Sequence, residues 1–362
     1  MPHVVDEHSS PLLAPYTGRL GETAGRGCGY GGRMEATAYW TVAPGRGELR
    51  REELGPTPAG HVRVRALVSG ISRGTELLVH RHAVPAAVRE RMSCPHQEGG
   101  LPGPVKYGYL SVGVVEDGAE EWLGRRVFCL YPHQDRYVVP TSAVTLVPDD
   151  VPSERAVLAG TVETALNALW DGPPLLGDRV AVVGCGMVGL AVAALLRRFP
   201  LQRLSLVDVD GSRAAVAGEM GLTLLAPREA EGDCDLVYHA SASESGLSTA
   251  LSLLGLEGEV IELSWYGDAE PRVPLGLDFH ARRLSIRASQ VGRVSPARAA
   301  RRSHDDRLAL ALDLLRDPVF DALVAPAVAF GDLPSVLSEM AAGRGTPLCQ
   351  VIAYPEEDPC SS

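Results

Sequence analysis

Polar and apolar positions alternate through Val62-Arg-Val-Arg-Ala-Leu-Val68, which predicts a strand with one buried face. Val112-Gly-Val-Val115, Arg126-Val-Phe-Cys-Leu-Tyr131 and Arg136-Tyr-Val-Val139 repeat the theme, with Gly, Asp and Pro between them. From Met34 to about residue 150 the pattern predicts a small β-barrel. At Pro152 the period changes. Ser153 to Trp170 carries Ala and Leu at helical spacing, with Ser153 as the expected N-cap. Strands then alternate with helices. The strands are Arg179–Val183, Arg203–Val207, Leu236–Ala240 and Glu259–Leu263; the helices are Met187–Arg198, Arg213–Met220 and Gly246–Leu254. Such alternation implies a parallel, doubly wound sheet. Beyond Leu284–Arg287 come an arginine-rich stretch, an amphipathic helix over Arg307–Leu315 and a strand-like Gln350–Tyr354.

Gly184-Cys-Gly-Met-Val-Gly189 has the G-x-G-x-x-G spacing, directly after the apolar strand and directly before a helix. Gly184 permits the tight turn, Gly186 lets the backbone approach a pyrophosphate, and Gly189 lets helix and strand pack closely. The first helical residues, Met187 and Val188, offer free N–H groups and a positive dipole end to phosphate. Asp208 ends the second strand 19 residues beyond Gly189 (208 − 189). A carboxylate there accepts both ribose hydroxyls and repels a 2′-phosphate, so the expected cofactor is NAD. Arg213, five residues on, could accept a phosphate and pulls the other way.

Three runs, Ser69-Gly-Ile-Ser-Arg-Gly-Thr-Glu76, Gly108-Tyr-Leu-Ser-Val-Gly-Val-Val115 and Gly177-Asp-Arg-Val-Ala-Val-Val-Gly184, stand in that order across a barrel, a linking helix and a nucleotide unit. In this the chain resembles the medium-chain dehydrogenase/reductase superfamily over residues 34–354, and within it the branch containing bacteriochlorophyllide a dehydrogenase. The resemblance implies an α/β fold: a GroES-like β-barrel catalytic domain (34–150), a linking helix and Rossmann domain (151–319), and a return to the catalytic domain (320–362). It places the active site between the two domains and pairs Rossmann domains into a homodimer.

Departures from the family pattern are informative. Where zinc members carry Gly-Ile-Cys-Gly-Thr-Asp, this chain has Gly70-Ile-Ser-Arg-Gly-Thr-Glu76. Gly108-Tyr109-Leu110 replaces Gly-His-Glu, and the third ligand position falls near Gly160. Serine, tyrosine and glycine do not make a tetrahedral N/S site, so no metal is expected. An unorthodox site from Cys94, His96, Glu98, His133 and Glu163 is the alternative to a polar loop at the cleft mouth.

Without zinc, hydrogen-bond donors or a general acid must act on the substrate oxygen. The candidates are Tyr109 at the ligand-histidine position, Thr75 in the Gly-Thr-Glu run, His133 in Tyr131-Pro-His-Gln134, and Glu76, which either reaches the active site or braces its loop. Glu163 and Asn167, one helical turn apart, either face the cleft or belong to the core edge, and Lys106 with Tyr107 form either a second polar pair donating to a substrate oxygen or, the favoured reading, a strand entry with a solvated lysine. The leading expectation is an NAD-dependent dehydrogenase interconverting a secondary alcohol and a ketone on a bulky substrate. The alternatives are an enoyl or quinone reductase and a non-catalytic NAD(H)-binding sensor.

Composition adds limits. With 362 residues, 45% hydrophobic and 22% charged, the chain suits two globular domains. A net charge of −11 argues against a general nucleic-acid binder. Eight arginines between Arg282 and Arg307 concentrate positive charge, suggesting either an anionic substrate or a salt-bridged face. Seven scattered cysteines with no C-x-x-C pair read as reduced thiols of a cytoplasmic protein. The glycines that interrupt Val180–Leu196 make a membrane helix there unexpected. Residues 1–33 read as a disordered leader or as lying upstream of a natural start at Met34.

Overall fold

The computed structural model describes residues 34–345 and 347–355; the expected leader lies outside the described residues. The chain begins with β1 (Met34–Ala43), β2 (Arg46–Leu54), β3 (His61–Ile71), α1 (Arg73–His80), β4 (Glu98–Gly99) and β5 (Val105–Lys106). It continues through β6 (Ser111–Asp117), β7 (Arg126–Cys129), β8 (Arg136–Pro140) and β9 (Val144–Leu146). As the alternation requires, Val62, Val64, Ala66 and Val68 of β3 are buried while Arg63 and Arg65 stay partly exposed. β2-β1-β5-β4 form one antiparallel sheet, and β3-β6-β7-β9, with β8 beside β3, form most of a second.

The helical segment after Pro152 is α2 (Ser153–Ala156) and α3 (Ala159–Asp171). Ser153 is not the N-cap: Pro152 is, and the Ser153 hydroxyl accepts from Arg126 at 3.2 Å. Then follow β10 (Arg179–Val183), α4 (Met187–Leu196), β11 (Arg203–Val207), α5 (Ala214–Glu219), β12 (Leu224–Leu225), β13 (Cys234–His239), α6 (Glu244–Leu253), β14 (Leu254–Glu262) and β15 (Ser285–Ala288). These strands make one parallel sheet in the order β12-β11-β10-β13-β14-β15, so the order reverses between β10 and β13. β14 starts at Leu254, five residues before the expected Glu259, because Leu254 pairs with Cys234 ahead of an irregularity in register.

α7 (His304–Leu314), β16 (Val324–Ala329), α8 (Leu333–Ala341) and β17 (Cys349–Ala353) complete the fold. β17 pairs with β3 and β16 with β17, so the chain returns to its first half. One continuous core joins both halves. It runs from Val68, Val112 and Phe128 through α3 to α4 and Leu236.

Glu163 and Asn167 do not face a cleft. Arg307 of α7, 1% exposed, donates to Glu163 at 2.9 Å, to Asn167 at 2.5 Å and to the carbonyls of Arg293 and Val291. Three other arginines of the rich stretch make surface ion pairs instead: Arg282 with Asp278, Arg283 with Glu257 and Arg287 with Glu259. Removing one member of a buried pair strands a charge, at a cost of about 3–5 kcal/mol. Arg307→Ala should lower the unfolding free energy by about that amount in urea titrations, and Arg307→Met combined with Glu163→Gln should lose less.

Candidate active site

The turn from β10 into α4 lies at the reversal of strand order, where open parallel sheets bind ligands. Gly184 has φ +96°, and a Cβ on it would lie 2.5 Å from the amide nitrogen of Ser241. A Cβ on Gly189 would sit 1.9 Å from the Gly184 carbonyl oxygen, so helix and turn touch only because both are glycine. Around Gly186 nothing lies within 4 Å of that position: this face of the turn is open. No side chain caps α4, which leaves the N–H groups of Met187 and Val188 directed toward that opening. Asp208 follows β11, and its carboxylate accepts from the amides of Cys185 at 2.5 Å and Asp210 at 2.8 Å. Arg213 faces Asp210 at 3.3 Å. An open glycine turn, an uncapped helix end and a strand-terminal carboxylate together fit a dinucleotide.

Across from this cradle, the end of β3 and the start of α1 form a loop held by one carboxylate. Glu76, 5% exposed, accepts the amide of Ser72 at 2.7 Å with one oxygen and pairs with His133 Nε2 at 2.9 Å with the other. His133 Nδ1 lies 2.7 Å from the Ser69 hydroxyl, itself 3.0 Å from the Tyr354 hydroxyl. Since an ionised carboxylate only accepts, the proton sits on Nε2 and Nδ1 accepts from Ser69. Both His133 and Glu76 are thus sealed behind the cleft surface, with every ring nitrogen and carboxylate oxygen engaged.

Tyr109 and Thr75 are half-buried and closer to the opening. The Tyr109 hydroxyl donates to Ser72 Oγ at 2.6 Å. Burial and the nearby Glu76 charge push its phenol well above the usual range, outweighing the hydrogen bonds with Ser72 and Thr75, so it stays protonated through neutral pH. The third position of the resemblance, Gly160, carries no donor and abuts Leu110, whose Cδ2 would lie 2.8 Å from an added Cβ.

The other polar candidates are dispersed. Lys106 is no solvated lysine: it is fully buried, bonded to Glu52, Glu98 and Gln134 under the barrel. Tyr107 donates to the Met92 carbonyl, and His96 packs on Tyr131 at 5.2 Å between ring centres. Burial pushes the Cys94 thiol up to about 12. Among the described residues no three His, Cys, Asp or Glu side chains converge as metal ligands would.

Reading the sequence missed one cluster. His239 ends β13 and Glu262 ends β14; Nδ1 of the ring is 2.7 Å from the carboxylate, and Nε2 is 2.6 Å from Ser241 Oγ. The available signal was a polar residue as the last of an otherwise apolar parallel strand, the edge that faces a ligand crevice.

No family model matches the chain. An L-threonine 3-dehydrogenase of Rhizobium rhizogenes is 28% identical over 121 residues, 32% of this chain and 33% of that one. An alcohol dehydrogenase class-3 of Oryza sativa is 28% identical over 189 residues, 48% of each chain. The chain thus spans a third to a half of the length of these curated relatives. L-idonate 5-dehydrogenase of Escherichia coli superposes with a TM-score of 0.73 at 15% identity, covering 89% of this chain and 99% of that one. The fold is that of the alcohol dehydrogenases. A short chain alcohol dehydrogenase of Escherichia coli complexed with NADH (TM-score 0.70, 17% identity, 89% and 100% covered) shares it. So does a Sinorhizobium meliloti dehydrogenase bound to NADP (TM-score 0.72, 16% identity, 89% and 100% covered). The parallel sheet is therefore the Rossmann half and the antiparallel sheets the GroES-like half. Among the described residues no helix is long and apolar enough to cross a membrane.

Gly189→Ala should fold yet weaken any binding of a nicotinamide dinucleotide in fluorescence titration relative to the unaltered chain, because the new methyl group drives α4 away from the turn. A second expectation concerns acid. Burial raises the Glu262 carboxyl, but the bond and charge of His239 outweigh it, and its pKa falls below the usual value. Its folded value lies under its unfolded one, so its contribution is complete above the ordinary carboxylate range and fades as pH falls through the folded value. Thermal midpoints scanned downward from pH 5 should therefore fall less steeply for Glu262→Gln than for the wild type.

Proposed function

We propose that this chain is an NAD-dependent oxidoreductase that interconverts a secondary alcohol and a ketone without a catalytic zinc. The observation that carries the reading is the direct 2.6 Å contact between Tyr109 and Ser72. The resemblance aligns these two residues, 37 positions apart, with zinc ligands; here they bond to each other, and Gly160 offers no third donor. Hydroxyl, phenol and glycine do not suit a tetrahedral zinc, which takes thiolate, imidazole or carboxylate. No step below depends on a metal.

Asp208 at the end of β11 supports NAD over NADP, and the engagement of Arg213 with Asp210 removes part of the counter-argument. NAD bound along the Gly184–Gly189 turn would supply the hydride acceptor. The side chains of this chain then have two tasks: to orient the carbinol carbon and to handle the proton on its oxygen. Tyr109 is held neutral, and its single hydroxyl hydrogen, donated to Ser72 in the free protein, would turn to a ketone or alkoxide oxygen when substrate binds. Glu76 and His133 act behind it, by fixing the loop that carries Ser72. Trp265, beyond β14, packs with Tyr109 on the apolar cluster around Val79, Val84 and Tyr107. That aromatic wall supports a bulky, apolar substrate. The free edge strand β15, with Leu277 71% exposed on the segment before it, supports a homodimer.

In a screen following nicotinamide absorbance, alcohols with NAD⁺ and ketones with NADH should turn over, whereas activated enones alone would favour a reductase. Tyr109→Phe should lower kcat/KM by about 10²–10³ without comparable loss of NADH affinity, as removal of a preorganised donor does. Asp208→Ala should erase the preference for NADH over NADPH. Protein purified without added metal should carry far less than one zinc per chain and keep its activity in chelator; stoichiometric zinc would overturn the reading.

A further inference from the structure

Ser72 stands at a capping position but does not cap. It is the N-cap of α1, where a serine side chain ordinarily accepts a backbone N–H of the first turn. Here the side chain makes no such bond. Glu76 takes the Ser72 amide at 2.7 Å, and the Ser72 Oγ meets the Tyr109 phenol at 2.6 Å instead. The helix forgoes a local bond, and the hydroxyl is turned to Tyr109.

Counting hydrogens defines what this pair offers. Two hydroxyls carry two hydrogens, and the bond between them uses one. While Tyr109 donates, the hydrogen of Ser72 has no acceptor among the described residues. When the phenol turns to a substrate oxygen, that spare hydrogen closes on the phenol oxygen. The contact reverses without being lost. Tyr109 needs such a donor. Burial and the Glu76 charge push its phenol well above the usual range, so a phenolate standing there alone is disfavoured. Hydrogen bonds with Ser72 and then Thr75 act the other way.

The pair borders the crevice, because α1 lies across the carboxyl ends of the parallel strands. Arg73, next to Ser72, is lowered by burial and then by Arg213, with Asp210 opposing, and both of these lie just past β11. Farther along the helix, the Leu78 side chain stands 3.6 Å from where a Cβ on Gly267 would sit, beyond β14. Trp265 of that same segment packs on the apolar cluster that Tyr109 also touches. Ser72 and Tyr109, both half-buried, are therefore placed where the two halves of the molecule meet.

We propose that Ser72 is the positioning residue of Tyr109: it returns a proton to the phenol, making a two-hydroxyl relay at the substrate oxygen. This rests on the alcohol–ketone reading. In reduction, hydride adds to the carbonyl carbon and the C=O pair moves onto oxygen, which takes the Tyr109 proton. In the same motion Tyr109 takes the Ser72 proton through the reversed bond, and water at the half-buried serine resupplies it. Oxidation runs the path backwards, with the alcohol proton leaving through Tyr109 and Ser72 to water. No phenolate is built beside Glu76 in either direction.

The test is a double-mutant cycle on the full chain, read as kcat and KM for ketone reduction with NADH and alcohol oxidation with NAD⁺. Ser72→Ala should lower kcat/KM about 10²-fold in both directions, chiefly through kcat, as loss of a proton-transfer group does. Ser72→Thr, which keeps the hydroxyl, should restore most of that loss. In a Tyr109→Phe background the same Ser72→Ala change should cost no more than about twofold, since Ser72 acts only through the phenol. NADH affinity by fluorescence titration should be unchanged in every variant. Additive losses in the double variant, equal losses in Ser72→Ala and Ser72→Thr, a loss carried by KM, or no loss at all would overturn the relay alone. So would failure of Ser72→Ala to bind NADH, which would make the serine a brace of its loop. A wild type that turns over neither alcohols nor ketones would remove the alcohol–ketone reading and the relay together.

Discussion

A single buried carboxylate organises the GroES-like half of this molecule. Glu76 sits at the start of α1, where its two oxygens tie the Ser72 amide and the His133 ring to one point. Through His133 and Ser69 the same chain of bonds reaches Tyr354, just past β17 on the returning segment. Three stretches separated by up to 285 positions are thereby fixed to each other. A charge this deeply buried is tolerated only when its hydrogen bonds are complete, and the converse also holds. The loop cannot shift without stranding a charge, and that rigidity sets where Tyr109 points.

Part of this arrangement is legible from sequence because it depends on local spacing. A glycine turn between strand and helix needs no distant partner to be recognised, and Gly184, Gly186 and Gly189 each meet the steric condition their position implies. The resemblance singles out Ser72 and Tyr109 as standing at ligand positions, but their bond to each other becomes visible only in the structure. What sequence hides is orientation. Glu163 and Asn167 share a helical face whether that face looks into a cleft or onto Arg307, and periodicity is identical in the two cases. Lys106 reads as a solvated strand entry because nothing nearby in sequence announces Glu52 and Gln134. His239 and Glu262 are 23 positions apart and meet only because β13 and β14 are parallel and end in register.

The molecule contains two Ser–His–Glu chains with nearly the same distances, and burial separates their roles. In the first, Ser69 is 1% exposed and its hydroxyl already contacts Tyr354, so no proton entering His133 has a route from the cleft. In the second, the imidazole is equally buried but its hydroxyl neighbour is not, and the backbone of that serine lies against the nucleotide turn. Hydrogen-bond geometry alone would assign both the same chemistry. What differs is exposure: Ser69 is sealed in the barrel half, whereas Ser241, in the parallel-sheet half, is half-buried beside the first turn of α6.

The three positions that the resemblance aligns with zinc ligands hold Ser72, Tyr109 and Gly160 in this chain. A zinc ion performs two tasks at once, polarising the substrate oxygen and lowering the affinity of that oxygen for its proton. Under the function proposed above, those tasks would fall to side chains of the protein itself, with Tyr109 of the barrel half as the neutral hydroxyl nearest the opening. The contact of Trp265 with the barrel cluster, carried on the same segment as Tyr266, ties the parallel-sheet half to the barrel half beside Tyr109. Trp265→Ala should therefore loosen an aromatic contact between the two halves before it disturbs folding, because the side chain packs at the edge of the barrel cluster and leaves each core intact.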